Sequence, residues 1–153
     1  MTASYKNKYH DQCVTFKLDT NLIGINILSI REIVPCRVVT GIAQSPDYVM
    51  GLMNLRGQIL TILDIGILLG FEQRKIGSNS HVIIFKHRDT GFIVDKIGDV
   101  LGIEKEQVEE IPANMQSGIK EYMDYVVNLK DDILMLLDAD KILSVTASQN
   151  KGR

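Results

Sequence analysis

One hairpin pattern is written twice in this chain, and that repetition limits the fold more than any other feature. Gly51 to Leu69 reads GLMNLRGQILTILDIGILL, and Asn128 to Leu143 reads NLKDDILMLLDADKIL. Asn128 answers Asn54, Leu129 answers Leu55, Lys130 answers Arg56, Ile133-Leu134 answer Ile59-Leu60, and Leu137-Asp138 answer Leu63-Asp64. Self-similarity of this kind means that one supersecondary unit has been built twice. A weaker echo accompanies it: Gly91, Ile97, Asp99 and Val100 fall where Gly24, Ile30, Glu32 and Ile33 stand.

Two small units therefore share 153 residues. Apolar residues make up 45% and charged residues 24%, the balance of a globular protein, and a formal charge of -2 supplies no basic field for a phosphate backbone. Nucleic acid is an unexpected partner on that ground. No run of 18 apolar residues exists, and the first residues, MTASYKNKYHDQC, carry charges where a signal peptide needs an apolar stretch, so membrane insertion is not expected and a cytosolic location is. Cys13 and Cys36, 23 residues apart with no CxxC, leave a disulfide, a metal site or plain packing open, packing being the expected state.

Strand and turn signals follow in close succession. Val14, Phe16 and Leu18 alternate with polar residues, Asp19-Thr20-Asn21 makes a turn, and Leu22 to Leu28 returns as the second arm of a hairpin. Ile27, Ile30, Ile33 and Val34 are spaced like one helical turn that ends at Pro35. Ser45-Pro46-Asp47 has the form of an N-cap followed by Pro, which predicts a short helix through Met50. Leu52 to Arg56 and Ile59 to Leu63 form the central hairpin, with Gly57-Gln58 predicted as a type II′ turn. The second of these strands is almost wholly apolar, so both of its faces should be covered.

Asp64 is placed to cap a short helix from Ile65 to Leu69 that Gly70 ends. The polar stretch Glu72 to Ser80 is the predicted boundary, giving one subdomain over 12–75 and another over 76–145, with flexible tails at 1–11 and 146–153. Val82 to Phe85 and Gly91 to Lys96 repeat the first hairpin, and Asp138 to Leu143 repeats the closing helix. The fold class is mostly β: two tandem small antiparallel barrels of about five short strands each, with short helices.

Chemistry is hard to find. His10, His81 and His87 have no metal-ligand spacing, and no nucleophile elbow, Walker loop or dinucleotide fingerprint is present. Asp64 and Asp138 resemble a carboxylate pair for acid–base work, but their equivalent places before helices read as caps. Arg56, beside the hairpin turn, is either a surface strand-end residue or a positioned ion pair or partner contact, and Lys130 cannot offer the same planar fork. Ile27, Ile30, Ile33, Val34, Ile97, Val100 and Leu101 exceed the needs of two tiny cores. They either pack the units on each other or line a groove for an amphipathic helix.

Gly51-Leu52-Met53-Asn54-Leu55-Arg56-Gly57, the apolar strand closing on Leu63-Asp64-Ile65, and Gly91 to Ile97 followed by Asp99-Val100-Leu101 together resemble the CheW chemotaxis coupling family, over about Gln12 to Ser144. Thr61 stands where many members carry a proline. The resemblance implies two SH3-like five-stranded barrels with no catalytic centre, cofactor or metal. It implies a cytoplasmic adaptor, recruited to receptor arrays at the inner face of the cell membrane, that joins the cytoplasmic tip of chemoreceptors to the regulatory domain of the CheA histidine kinase. By position, Val14, Ile27, Ile30, Ile33 and Ile97 would line the receptor groove, and Val39, Ile42, Ile59, Ile62 and Ile65 would meet the kinase. Ile30→Asp should then weaken receptor binding with the fold intact. The rival expectations are a coupling scaffold in a chemosensory pathway other than flagellar chemotaxis, and a barrel for a small ligand or single-stranded nucleic acid.

Overall fold

The computed structural model describes residues 12–151, with side chains described through Thr146. Among the described residues the chain is mostly β. In order, β1 (Gln12–Leu18), β2 (Asn21–Asn26), a 3-10 turn (Ile27–Ser29), β3 (Ile30–Pro35), β4 (Val49–Leu55), β5 (Gln58–Leu63) and α1 (Ile65–Leu68) form the first part. There follow β6 (His81–Phe85), β7 (Thr90–Val94), β8 (Lys96–Gly102), a 3-10 turn (Lys105–Gln107), β9 (Val108–Glu110), α2 (Ser117–Tyr122), β10 (Met123–Asn128), β11 (Ile133–Leu137) and α3 (Ala139–Lys151).

Two sheets result, and each takes strands from both sides of residue 75. One runs β8-β1-β2-β11-β10-β9 and the other β3-β6-β7-β5-β4. The first hairpin, β1-β2, thus joins strands from the second half, while β6-β7 joins strands from the first. Local turn signals reveal hairpins, but which sheet a hairpin enters is a long-range choice that they do not encode. The exchange obeys the repeat. β5 lies parallel to β7 with Leu63 against Phe92, and β11 lies parallel to β2 with Leu137 against Ile25. The sixth position, held by β9 in the larger sheet, is taken in the smaller one by a single bridge between Thr40 and Leu52.

The same relation shows at the centre. Tyr48 and Tyr122 are equivalent, both buried, and the carbonyl of each accepts from the amide of the following cap residue, Asp64 at 2.7 Å and Asp138 at 2.8 Å. Each sheet has its own small interior, Val34, Met53, Leu60, Ile62, Val82, Ile84 and Ile93 in one, Cys13, Ile103, Val127, Leu134 and Leu136 in the other. The largest cluster lies between the sheets. There Phe92 meets Phe16 at 5.4 Å and Phe85 at 5.3 Å, tilted contacts that contribute about 0.5–1.5 kcal/mol each beyond their buried area. β5 now explains its composition: Leu60 and Ile62 enter the sheet's own interior, Leu63 enters the central core, and Ile59 at the open end is 53% exposed.

Several local expectations need correction. The central hairpin turns on Arg56-Gly57, not Gly57-Gln58; φ is 51° and 86°, both left-handed as a type I′ turn requires, and Asn54 Oδ1 accepts from Gly57 N at 3.0 Å. No helix follows Pro46: Val49 N donates to Pro46 O at 3.0 Å in a single turn, and Ser45 Oγ donates to Ile42 O instead of capping. A further helix, α2, spans Ser117–Tyr122 ahead of β10. The closing helix does not stop at Leu143 but continues to Lys151, so most of the tail expected to be flexible is helical. With Asp138 capping its start and Ile142 fully buried, the helix is already nucleated, and each further residue costs only propagation. The 1–11 tail, with His10, and residues 152–153 lie outside the described residues.

Candidate functional site

The apolar surplus falls on the seam between the two sheets. Ile27, Ile30, Ile33 and Ile97 are half-buried and pack on the rim of the central core, while Val14 is only 5% exposed and belongs to that core. Val34 and Leu101 turn inward to the separate interiors of the two sheets. The positions that stand free are Leu28, 48% exposed, and Val100, 50% exposed. The inner side of the surplus joins the sheets and its outer edge remains open. The rim also follows the repeat, since Ile30 and Ile33 on β3 correspond to Ile97 and Val100 on β8.

Local structure explains why Leu28 projects. Asn26 Oδ1 accepts from Leu28 N at 2.9 Å, which forces the short 3-10 turn and carries the chain from one sheet to the other. Ile30 is packed too well for a charge to be a purely local probe, so Leu28 and Val100 replace it for that purpose.

At the other candidate surface the structure separates the five residues. Ile59 is 53% and Ile42 38% exposed, and Val39 is half-buried, but Ile62 and Ile65 are fully buried. Ile62 follows the inward alternation of β5, and Ile65 opens α1 toward the central core. A cleft of about 510 Å³ lies nearby, between β3 and β4, walled by Val34, Pro35, Val38, Leu52, Met53 and Leu55, with Arg37 and Arg56 at its polar side.

Arg56 is held as an ion pair: Nη2 donates to Glu32 Oε1 at 2.6 Å, joining the β4-β5 turn to β3. That hydrogen bond, aided by the charges of Arg56 and Arg31, holds the Glu32 carboxyl below its usual range. Beside it, Arg31 Nη2 donates to Gln58 Oε1 at 3.2 Å and Gln58 Nε2 to Asp89 Oδ1 at 2.5 Å. Lys130 has no left-handed φ, so the second hairpin turns differently at the matching place.

The two aspartates are caps. Asp64 Oδ1 accepts from Gly66 N at 3.1 Å and its Oδ2 from Arg74 N at 2.6 Å; Asp138 Oδ1 accepts from Asp140 N at 3.0 Å and Lys141 N at 3.3 Å. Burial pushes the Asp64 carboxyl up, against the pull of these amides and of Arg74. Among the described residues no three His, Cys, Asp or Glu side chains gather as metal ligands. Cys13 and Cys36 are free thiols in different sheet interiors, which removes the disulfide.

Sequence reasoning missed one feature entirely. Arg74, in the polar stretch taken as a boundary, has a side chain only 2% exposed. Its Nη1 donates to Asp95 Oδ2 at 2.7 Å, and its Nη2 to Asp19 Oδ2 and to the Glu72 carbonyl, both at 2.8 Å. Three isolated polar residues in three separate turns give no pattern that a linear reading could detect.

With this geometry in hand, comparison with known proteins is direct. Residues 12–147 match the model of the CheW-like domain. The chain is 34% identical over 131 residues to the chemotaxis protein CheW of Klebsiella aerogenes, covering 84% of this chain and 79% of that one. It is 24% identical over 152 residues to chemotaxis protein CheW of Bacillus subtilis, covering 98% and 96%. The crystal structure of the scaffolding protein TtCheW from Thermoanaerobacter tengcongensis superposes with a TM-score of 0.74 over 84% of each chain at 24% identity, a likeness of fold. A matching domain model over nearly the whole described chain, a repeat-built pair of sheets and a relative sharing a third of its residues lead to one conclusion: this chain belongs to the CheW-like domain family.

Proposed function

We propose that the chain is a chemotaxis scaffold that binds a chemoreceptor tip along the seam between its sheets and a CheA-type kinase regulatory domain on the five-stranded sheet, on the cytoplasmic side of the membrane. The observation that carries this reading is the seam itself, where Leu28 and Val100 stand half-exposed over a half-buried rim of Ile27, Ile30, Ile33 and Ile97. An apolar strip of this shape suits the i, i+3, i+4 face of a helix. In this reading the kinase domain meets Ile59, Ile42 and Val39, away from Leu28 and Val100, so that one partner does not displace the other. The protein then acts by simultaneous binding, and a receptor's state reaches the kinase through geometry, with multivalent arrays adding strength to modest individual contacts.

Co-sedimentation tests this, using a soluble receptor-tip fragment and a kinase regulatory domain, each alone and then together. Val100→Asp should weaken receptor-fragment binding about tenfold or more, since a charge there must be desolvated against apolar helix surface, and should spare the kinase domain. Ile59→Asp should do the reverse. A folded Val100→Asp protein that retains wild-type affinity for the receptor fragment would refute the seam as the receptor site.

A further inference from the structure

The seam has walls on two different sheets, so its width depends on the angle between them. Apolar packing between the sheets is non-directional and does not by itself fix that angle. Ile30 and Ile33 lie on β3 of the five-stranded sheet, and Ile97 and Val100 lie on β8 of the six-stranded one. The chain passes from one sheet to the other at Asp95, the single residue between β7 and β8.

Asp95 is gripped from several sides. Its Oδ2 accepts from Arg74 Nη1 at 2.7 Å and from Asp19 N at 2.6 Å, while its own amide donates to Lys17 O at 3.0 Å. Arg74 also reaches the Asp19 carboxylate in the β1-β2 turn, and its backbone is tied to the cap of α1 through Asp64. Space is kept for it: a Cβ on Gly66 would come within 3.0 Å of Arg74 Nε. One buried guanidinium thus joins the linker, the first hairpin of the six-stranded sheet and the crossover between sheets. A buried ion pair is weak evidence for stability, but its directional bonds can specify an arrangement that apolar packing leaves loose.

We propose that Arg74 is a positioning residue for the receptor seam: by clamping Asp95 against Asp19 it fixes the angle at which β8 leaves the crossover, and with it the spacing of the two walls. The proposal rests on the assignment of the seam as the receptor site. Its consequence is that loss of Arg74 loosens the seam while leaving the surface at Ile59, which lies within one sheet, unchanged.

The test uses the full chain, with spin labels at Ile33→Cys on β3 and Val100→Cys on β8 for the distance between the two walls and unlabelled protein for the binding measurements, Cys13 and Cys36 being buried. In Arg74→Met the label-to-label distance distribution should broaden, the receptor-fragment affinity should fall about five- to tenfold, in the range typical of coupling between sites, and kinase-domain affinity should stay at the wild-type value. Arg74→Lys should behave like Arg74→Met, because an ammonium cannot span both carboxylates as the fork does. If Arg74→Met fails to fold, Asp19→Asn, at a position 58% exposed, removes one arm and should shift the same readouts in the same direction by less. An unchanged distance distribution in the folded variant overturns the clamp. A broadened one with unchanged receptor affinity, or with both partners weakened in equal proportion, overturns its link to the seam. Failure of the wild-type chain to bind the receptor fragment would instead overturn the functional assignment, while the distance measurement still decides the clamp.

Discussion

Gly51→Ala should damage the five-stranded sheet at one defined place. Gly51 sits at a register irregularity in β4 with φ at 152°, a conformation that an L side chain rarely adopts. A Cβ built there would lie 2.1 Å from Thr40 O, 2.7 Å from Thr40 C and 3.0 Å from Gly41 Cα. These are backbone atoms, which cannot swing aside as a side-chain tip does, so the strand at Thr40 has to retreat. Retreat breaks the bridge in which Thr40 N donates to Leu52 O and Leu52 N to Thr40 O, both at 2.8 Å. Two backbone hydrogen bonds contribute about 0.5–1.5 kcal/mol each, and a strained φ costs about 1–3 kcal/mol. The expected destabilisation is therefore about 2–6 kcal/mol, a large fraction of the 5–15 kcal/mol of a typical domain.

Urea unfolding of the two proteins measures this loss, read at a constant m-value. Where the variant still folds, the displaced segment carries Val39 and Ile42, so kinase-domain binding should weaken while the receptor fragment binds as before. A midpoint within about 0.5 kcal/mol of wild type, the scatter of neutral surface substitutions, would show that the backbone contact is not what demands glycine here.

Two further outcomes follow from the same structure. Arg56→Asn should leave the unfolding midpoint near the wild-type value, because Asn tolerates the left-handed φ of 51° and the lost ion pair is exposed, yet it should weaken the kinase domain's binding if the guanidinium beside the cleft is a contact; a clear fall in midpoint would make the pair structural. Burial pushes the Cys13 thiol up to about 11 and raises that of Cys36, so at pH 8 a soluble disulfide reagent should titrate both only as the protein unfolds, and rapid reaction of native Cys13 would contradict its place in the interior.

Much of this architecture is legible along the chain because it is local. The duplicated hairpin, the caps at Asp64 and Asp138 and the apolar character of β5 all depend on residues within a few positions of one another. Where the reading failed, a distant partner decided the matter. Turn geometry at Arg56-Gly57 was misplaced by one residue, in a turn where Arg56 accepts a left-handed φ and its side chain pairs with Glu32 across to β3. The candidate surfaces were found as sets of apolar residues, but alternation within β5 and the start of α1 buried Ile62 and Ile65, and left Leu28 and Val100 as the exposed positions.

Gly51 and its counterpart Tyr125 show the division most clearly. The repeat aligns them, and in the structure both lie in the first strand of the repeated hairpin, β4 and β10. Tyr125 pairs with Glu110 in a regular third strand, β9, whereas Gly51 lies against the backbone of Thr40, where a one-residue bridge replaces that strand. Periodicity and turn chemistry act over a few residues, so the sequence determined hairpins, caps and an apolar surplus. Which hairpin entered which sheet, which apolar residues the second sheet covered, and that Arg74 meets Asp19 and Asp95 were decided only in the tertiary structure, because those contacts join residues that nothing along the chain places together.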